Sequence, residues 1–246
     1  MKKLNLLIFF IMTILLSGCG DDEGVCISST GKTTTQDRSG LPFHCVEVYD
    51  NINLILTQDS INTGIKVEAG ENLIDGITTD IDSGRLVLRN TNSCNWLRSF
   101  NVPVNVYLNF EKLDTLNFRA AGNITCTNEW TNDSLYLNII EGGGNANLKL
   151  NTFKSFLYVL DGTVSLNVTG NSQVTFISSH GYGPIHAENL LSKFTYTFNS
   201  SPNDVYLNAS IELAVKITNI GNVYYSGDPP VITTEIYGGG RLIKLE

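Results

Sequence analysis

The chain has 246 residues and a formal net charge of −8, with 42% hydrophobic and only 16% charged residues. That balance excludes a charge-rich disordered chain and a basic nucleic-acid binder, and the length excludes a mini-protein dependent on dense disulfides. Its 27 Asn and 22 Gly, against 6 Pro, suit many turns and short strands better than long helices.

Lys2 and Lys3 precede a thirteen-residue apolar run, Leu4 to Leu16, which is shorter than the roughly 20 residues a permanent bilayer helix needs. It reads as a secretory signal peptide. The run closes on Leu16-Ser17-Gly18-Cys19, which resembles a bacterial lipobox, so cleavage before Cys19 and lipidation of its thiol are expected, with residues 1–18 absent from the mature protein. Loss of Lys2 and Lys3 leaves 14 basic against 24 acidic residues, a charge of −10. An anionic membrane repels such a body, so acyl chains on Cys19 would have to hold it. Gly20-Asp21-Asp22-Glu23 is similar to the acidic signal of outer-membrane lipoproteins in Gram-negative bacteria. The expected location is that membrane, surface-exposed, with its periplasmic face as the alternative.

Residues 19–40 carry Ser, Thr, Gly and charge without an apolar period, which predicts a lipidated cysteine followed by a polar tether. Gly31-Lys32-Thr33 is no phosphate loop, since Cys26 stands where the first glycine would fall. Cys26, Cys45, Cys94 and Cys126 form an even set that an oxidising compartment would pair in one of three ways, neighbours in sequence (Cys26 with Cys45, Cys94 with Cys126) being the preferred choice. No zinc spacing links them to His44, His180 or His186, and neither a metal nor a cofactor is expected.

From residue 41 the apolar residues alternate at period two: Val46 and Val48, then Ile52, Leu54 and Leu56, then Val102, Val104, Val106 and Leu108. Asp82-Ser83-Gly84 reads as a hairpin turn between Ile77–Ile81 and Arg85–Leu88, and not as a calcium loop. In the second half a turn residue recurs before alternating apolar positions, at Gly122, Gly144, Gly162, Gly183, Asn203, Gly221 and Gly240. Spacings of 18 to 22 residues predict an all-β fold, a single-stranded parallel β-helix with coils of about 20 residues, and a β-sandwich is the alternative. Asn at 203 is read as tolerating positive φ as Gly does.

Stacked coils would turn Ile124, Ala146, Val164, Ile185, Val205, Val223 and Leu242 inward. They would present an outward column of Thr125, Asn147, Ser165, His186, Tyr206 and Tyr224. That polar-to-aromatic column is the candidate binding surface for a glycan or a protein, against the plainer reading of a solvated sheet face. Glu141 and Asp161, with Arg119 and His180, are the nearest thing to a glycosidase carboxylate pair, but they need not share a column, and no catalytic residue is expected.

Asp50-Asn51-Ile52-Asn53-Leu54, the stretch from Asn101 to Ile124, and Gly221-Asn222-Val223 through Gly238-Gly239-Gly240 resemble the putative auto-transporter adhesin, head GIN domain family, a domain of unknown function in bacterial lipoproteins. The likeness covers about residues 41–246. Asn51 replaces the glycine of Gly-Ile-Asn, and Ala120-Ala121-Gly122 replaces a Gly-Ser-Gly turn. The resemblance implies a right-handed β-helix, exported, adhesive and without assigned catalytic residues. A non-catalytic binding module of the cell envelope is therefore expected, with a purely structural envelope protein, or a polysaccharide-acting enzyme, as alternatives.

Overall fold

The computed structural model describes residues 29–40, 42–93 and 102–246. The signal peptide, Cys19, Cys26 and Cys94 lie outside them. Apart from one 3-10 turn at Ile74–Gly76, the regular elements among the described residues are strands.

The second half builds the body. β8 (Thr115–Ala120), β9 (Ile124–Cys126), β10 (Trp130–Ile139), β11 (Asn145–Val159), β12 (Ser165–Ser179) and β13 (Ile185–Asn199) are followed by β14 (Val205–Asn208), β15 (Glu212–Ile217), β16 (Val223–Ser226), β17 (Val231–Ile236) and β18 (Leu242–Lys244). Each pairs in parallel with chain about 20 residues further on, as in Ile124↔Ala146, Ala146↔Leu166, Leu166↔Ile185, Ile185↔Val205, Val205↔Val223 and Val223↔Leu242. This is a β-solenoid of about 6 turns, about 20 residues per turn, and the β-sandwich is set aside. Parallel neighbours this far apart in sequence arise because each coil returns to the same edge, whereas a sandwich would pair hairpin strands antiparallel.

Period two gives each coil its buried side. In β11 the residues Ala146, Leu148 and Leu150 are buried while Asn145, Asn147, Lys149 and Asn151 face out. A second, polar seam runs through the interior where the long strands bend. Thr152, Ser155, Ser172, Thr175, Ser192 and Thr195 are buried there. Thr152 Oγ1 lies 2.6 Å from Ser155 Oγ and donates to Ser172 Oγ at 3.2 Å, and Thr175 Oγ1 donates to Ser192 Oγ at 3.0 Å. Satisfied hydroxyls cost little to bury, so the bend is held by hydrogen bonds where aliphatic side chains would not fill the corner.

The first half is threaded out of order. β2 (Cys45–Asp50) lies between β6 (Arg85–Asn90) and β8, and β3 (Ile52–Gln58) lies between β7 (Val104–Phe110) and β9, every pair parallel. The first coil of the chain is therefore interleaved between the second and the third. Between them the chain builds an antiparallel end: β4 (Gly64–Gly70) on β7, β1 (Thr33–Arg38) on β4, and β5 (Ile77–Asp82) on β6. Ile65, Val67, Ala69 and Ile77 close the core there, the capping that a stacked architecture requires. The hairpin expected at Asp82-Ser83-Gly84 joins β5 to β6, with Ser83 and Gly84 at φ 52° and 76°.

β1 corrects the reading of residues 19–40 as tether throughout. Thr33–Arg38 pair with Ile65–Gly70, and the Arg38 guanidinium donates to the Ile74 carbonyl at 2.9 Å. An edge strand held by backbone bonds and largely exposed on both sides leaves no apolar period to detect.

Turn chemistry explains the recurring Gly-Asn. The side-chain carbonyl of Asn53 accepts from the Asn123 amide at 2.9 Å, that of Asn123 from Asn145 at 2.9 Å, and that of Asn222 from Arg241 at 3.0 Å. At these three places one coil closes a backbone donor of the next. The preceding glycine is needed for proximity: a Cβ on Gly144 would sit 2.3 Å from the Gly122 carbonyl oxygen, at a φ of +108°. Asn203 does not adopt positive φ, contrary to the expectation from sequence, and its backbone amide donates to Ser201 Oγ at 3.0 Å.

Candidate functional site

Outward residues of consecutive coils form columns, and each column is a possible ligand surface. The expected column is real with one substitution. Thr125 opposes Asn147, but Asn147 opposes Asn167, which opposes His186, then Tyr206 and Tyr224. Ser165 instead opposes Asn145, at the turn. The slip has a physical source in the run Gly142-Gly143-Gly144: Gly162 packs on the Gly142 carbonyl and not on that of Gly144, so the coil that pairs Ala146 with Leu166 is two residues longer than the Gly144-to-Gly162 spacing implies. Val164 is buried, but one row earlier than assigned, and Leu166 takes its place opposite Ala146.

At the column's aromatic end the rings stack on each other. His186 and Tyr206 lie 4.7 Å apart at 13°, and Tyr206 and Tyr224 lie 4.7 Å apart at 9°. A bulge between Asn167 and Thr169 on β12 and the facing part of β13 brings Glu188 Oε1 to 3.5 Å from His186 Nδ1. Desolvation raises the Tyr206 phenol, helped by the negative Asp204 and by Tyr224 and Glu188 beside it, so the hydroxyl stays a neutral donor.

A second aromatic column, not singled out in the sequence, occupies another side of the solenoid. Tyr136, Phe156, Phe176 and Tyr196 stack at 4.4, 4.8 and 5.2 Å with interplanar angles of 0, 4 and 20°. The signal was available: these rings recur at intervals of 20 residues. The ladder stops where Ala214 opposes Tyr196. Beside it, a groove of about 470 Å³ runs between Phe176 and Tyr196 on one wall and Tyr158 and Phe198 on the other, with Lys216 paired to Glu235 at 3.4 Å near its end. In both columns the ring faces are used within the protein, so a sugar could stack on little more than the terminal rings.

The third side carries a trough of about 970 Å³ crossing β10 to β13. Its floor is the buried hydroxyl seam, and its walls carry Asn151, Phe153, Asn171, Gln173, Leu191 and Lys193.

The carboxylates considered for catalysis have other partners. Glu141 lies 3.7 Å from Arg119, and Asp161 accepts from the Gly162 amide at 2.7 Å. His180 is fixed between Ser178 Oγ at 2.9 Å and Ser200 Oγ at 2.6 Å, its ring edge-on to Phe198. Among the described residues, no group of three His, Cys, Asp or Glu gathers in a way that would hold a metal ion. Among the described residues Cys45 and Cys126 form no disulfide with one another, and the partners expected for them, Cys26 and Cys94, lie outside the described residues. Burial pushes the Cys126 thiol up to about 12, while burial and the neighbouring Glu47 raise Cys45.

The profile of the putative auto-transporter adhesin, head GIN domain family matches residues 42–229. The chain belongs to that family. Solved structures agree on the fold. A putative adhesin from Bacteroides fragilis is 20% identical with a TM-score of 0.79, covering 87% of this chain and 97% of its own. A putative adhesin from Parabacteroides merdae is 17% identical at 0.66, covering 89% and 98%. A putative lipid binding protein from Parabacteroides distasonis is 17% identical at 0.64, again covering 89% and 98%. No curated protein matches the sequence.

Proposed function

We propose that this head GIN domain protein is a non-catalytic binding module of the bacterial cell envelope, exported and held by lipid on Cys19. The observation that carries the non-catalytic reading is the engagement of the two candidate acids: Glu141 in an ion pair with Arg119, and Asp161 on the backbone of its own turn. Neither lines the trough or the aromatic groove described above, where a carboxylate pair would have to flank a glycosidic bond. The adhesin descriptions of the family and of its structural neighbours support the same reading. The eighteen strands of the described residues form one continuous sheet that gives such a module rigidity, and side chains on the outside of a rigid frame bind with little ordering cost.

Anchoring and exposure are tested together. Cys19→Ala is expected to release the protein from membranes or stop its processing, and protease added to intact cells is expected to digest the wild type. A protein protected in intact cells would face the periplasm, which favours the structural envelope role. Polysaccharide turnover by the native domain that vanishes in the Glu141→Gln, Asp161→Asn double variant would overturn the non-catalytic assignment.

A further inference from the structure

We infer that the trough across β10 to β13 is a binding site for a neutral glycan chain. The inference rests on the binding-module reading and names its ligand class.

Three features of the trough set it apart from the two aromatic columns. First, its wall side chains are free. Asn151, Asn171 and Gln173 make no side-chain hydrogen bond within the described chain, whereas the column rings are stacked on each other and the turn asparagines are bonded to backbone. An amide offers a donor pair and an acceptor at fixed separation, which suits the vicinal hydroxyls of a sugar. Phe153, 56% exposed, and Leu191, 59% exposed, stand among these amides and supply the apolar contact that the C–H face of a pyranose takes.

Second, the frame is built before any ligand arrives. Gln58 closes one end, its Nε2 donating to the carbonyls of Glu111 at 2.9 Å and Thr131 at 3.0 Å while its Oε1 accepts from the Thr131 amide at 2.7 Å. Asn208 closes the other, accepting from the Ser192 amide at 3.2 Å and donating to Ser226 Oγ at 2.9 Å. Between them Thr152, Ser172 and Ser192 point into the protein and are satisfied there, so the floor does not move. Rows repeat at roughly 4.8 Å along the solenoid, and the trough crosses enough of them for several linked rings.

Third, the charges and the backbone exclude other ligands. The charged residues of the lining are Glu111 and Asp133 against Lys112 and Lys193, two of each sign, which leaves no field to attract a polyanion. The backbone of β10 to β13 pairs in the parallel ladder on both sides of the row of Asp133, Phe153, Gln173 and Lys193, which is itself left out of the register, as at Asn151↔Asn171 and Asn171↔Leu191 before it and Lys154↔Val174 after it, so an extended peptide meets no free strand edge here.

The test is affinity gel electrophoresis of the whole mature chain in gels holding one polysaccharide each: mannan, xyloglucan, laminarin and arabinan as neutral probes, and alginate and heparin as polyanions. Retardation by at least one neutral probe is expected, falling tenfold or more in Asn171→Ala and in Phe153→Ala, with the Ser60→Ala control unchanged. Both sites are exposed, and circular dichroism of each variant checks that the fold is kept. Retardation that survives both substitutions, retardation by polyanions alone, or none by any neutral probe overturns the trough as a glycan site. If a peptide array or intact cells still capture the chain, the binding-module reading stands without the trough. If nothing captures it, both fall.

Discussion

The rings of Tyr136 and Phe156, twenty residues apart, lie parallel with centroids 4.4 Å from one another. Phe156 is stacked on its other side by Phe176 at 4.8 Å, so one side chain joins three coils. Each such pair is worth about 0.5–1.5 kcal/mol beyond its buried area. Phe156→Ala is therefore expected to lower stability by roughly 1–3 kcal/mol through lost stacking alone, while Tyr136→Ala, at the end of the ladder, loses one pair and costs less. Urea unfolding followed by fluorescence measures both. Equal losses would mean that the rings do not act as a stack.

Coil spacing gives a paired test at adjacent glycines. Gly144 combines positive φ with a carbonyl 2.3 Å from where a Cβ would stand, whereas Gly143 would meet only the Thr163 hydroxyl at 3.2 Å. Gly144→Ala should destabilise by about 1–3 kcal/mol or more, and Gly143→Ala should sit within about 0.5 kcal/mol of wild type. Thermal melts of the two variants decide it. A tolerated Gly144→Ala would show that the coils do not approach so closely.

Cys126 tests the interior by its thiol. With its pKa pushed up to about 12 by burial, it holds almost no thiolate at pH 8 and should resist iodoacetamide until the chain unfolds. The sign for stability follows: the native state keeps the proton, so this contribution is whole below the ordinary value of 9.0 and is lost as pH rises from there through about 12. Mass spectrometry after native and denaturing alkylation reads the site. Rapid native labelling at Cys126 would contradict a shielded thiol, and a site that stays unlabelled after denaturation without reductant would instead be the disulfide expected from the sequence.

The end cap can be removed. β1 covers the outer edge of β4, whose other edge is taken by β7. A chain beginning at residue 42 should expose that edge and self-associate with rising concentration, as unprotected strands do. Sedimentation velocity of the two lengths compares them. A monomeric truncated chain at all concentrations would show that β4 protects itself.

Alternation at period two and turn residues near every 20 positions pointed to the all-β class, to stacked coils and to most of the buried rows, because both patterns are local and every coil repeats them. Tyr206 and Tyr224 were legible as neighbours for the same reason. Register across Gly142-Gly143-Gly144 was not, since any of three glycines could pack on the next turn and only the contact of Gly162 with the Gly142 carbonyl selects one. That choice moved Asn167 into the column and Ser165 out of it. The interleaving of β2 and β3 between later strands is likewise a property of the folded chain: the coils present similar apolar rows, and nothing in a row says which coil lies above it. The trough depended on tertiary structure most of all. Asn151, Phe153, Asn171 and Gln173 are ordinary polar and aromatic residues in sequence, and only the bend held by buried Thr152, Ser172 and Ser192 turns them toward one concave surface.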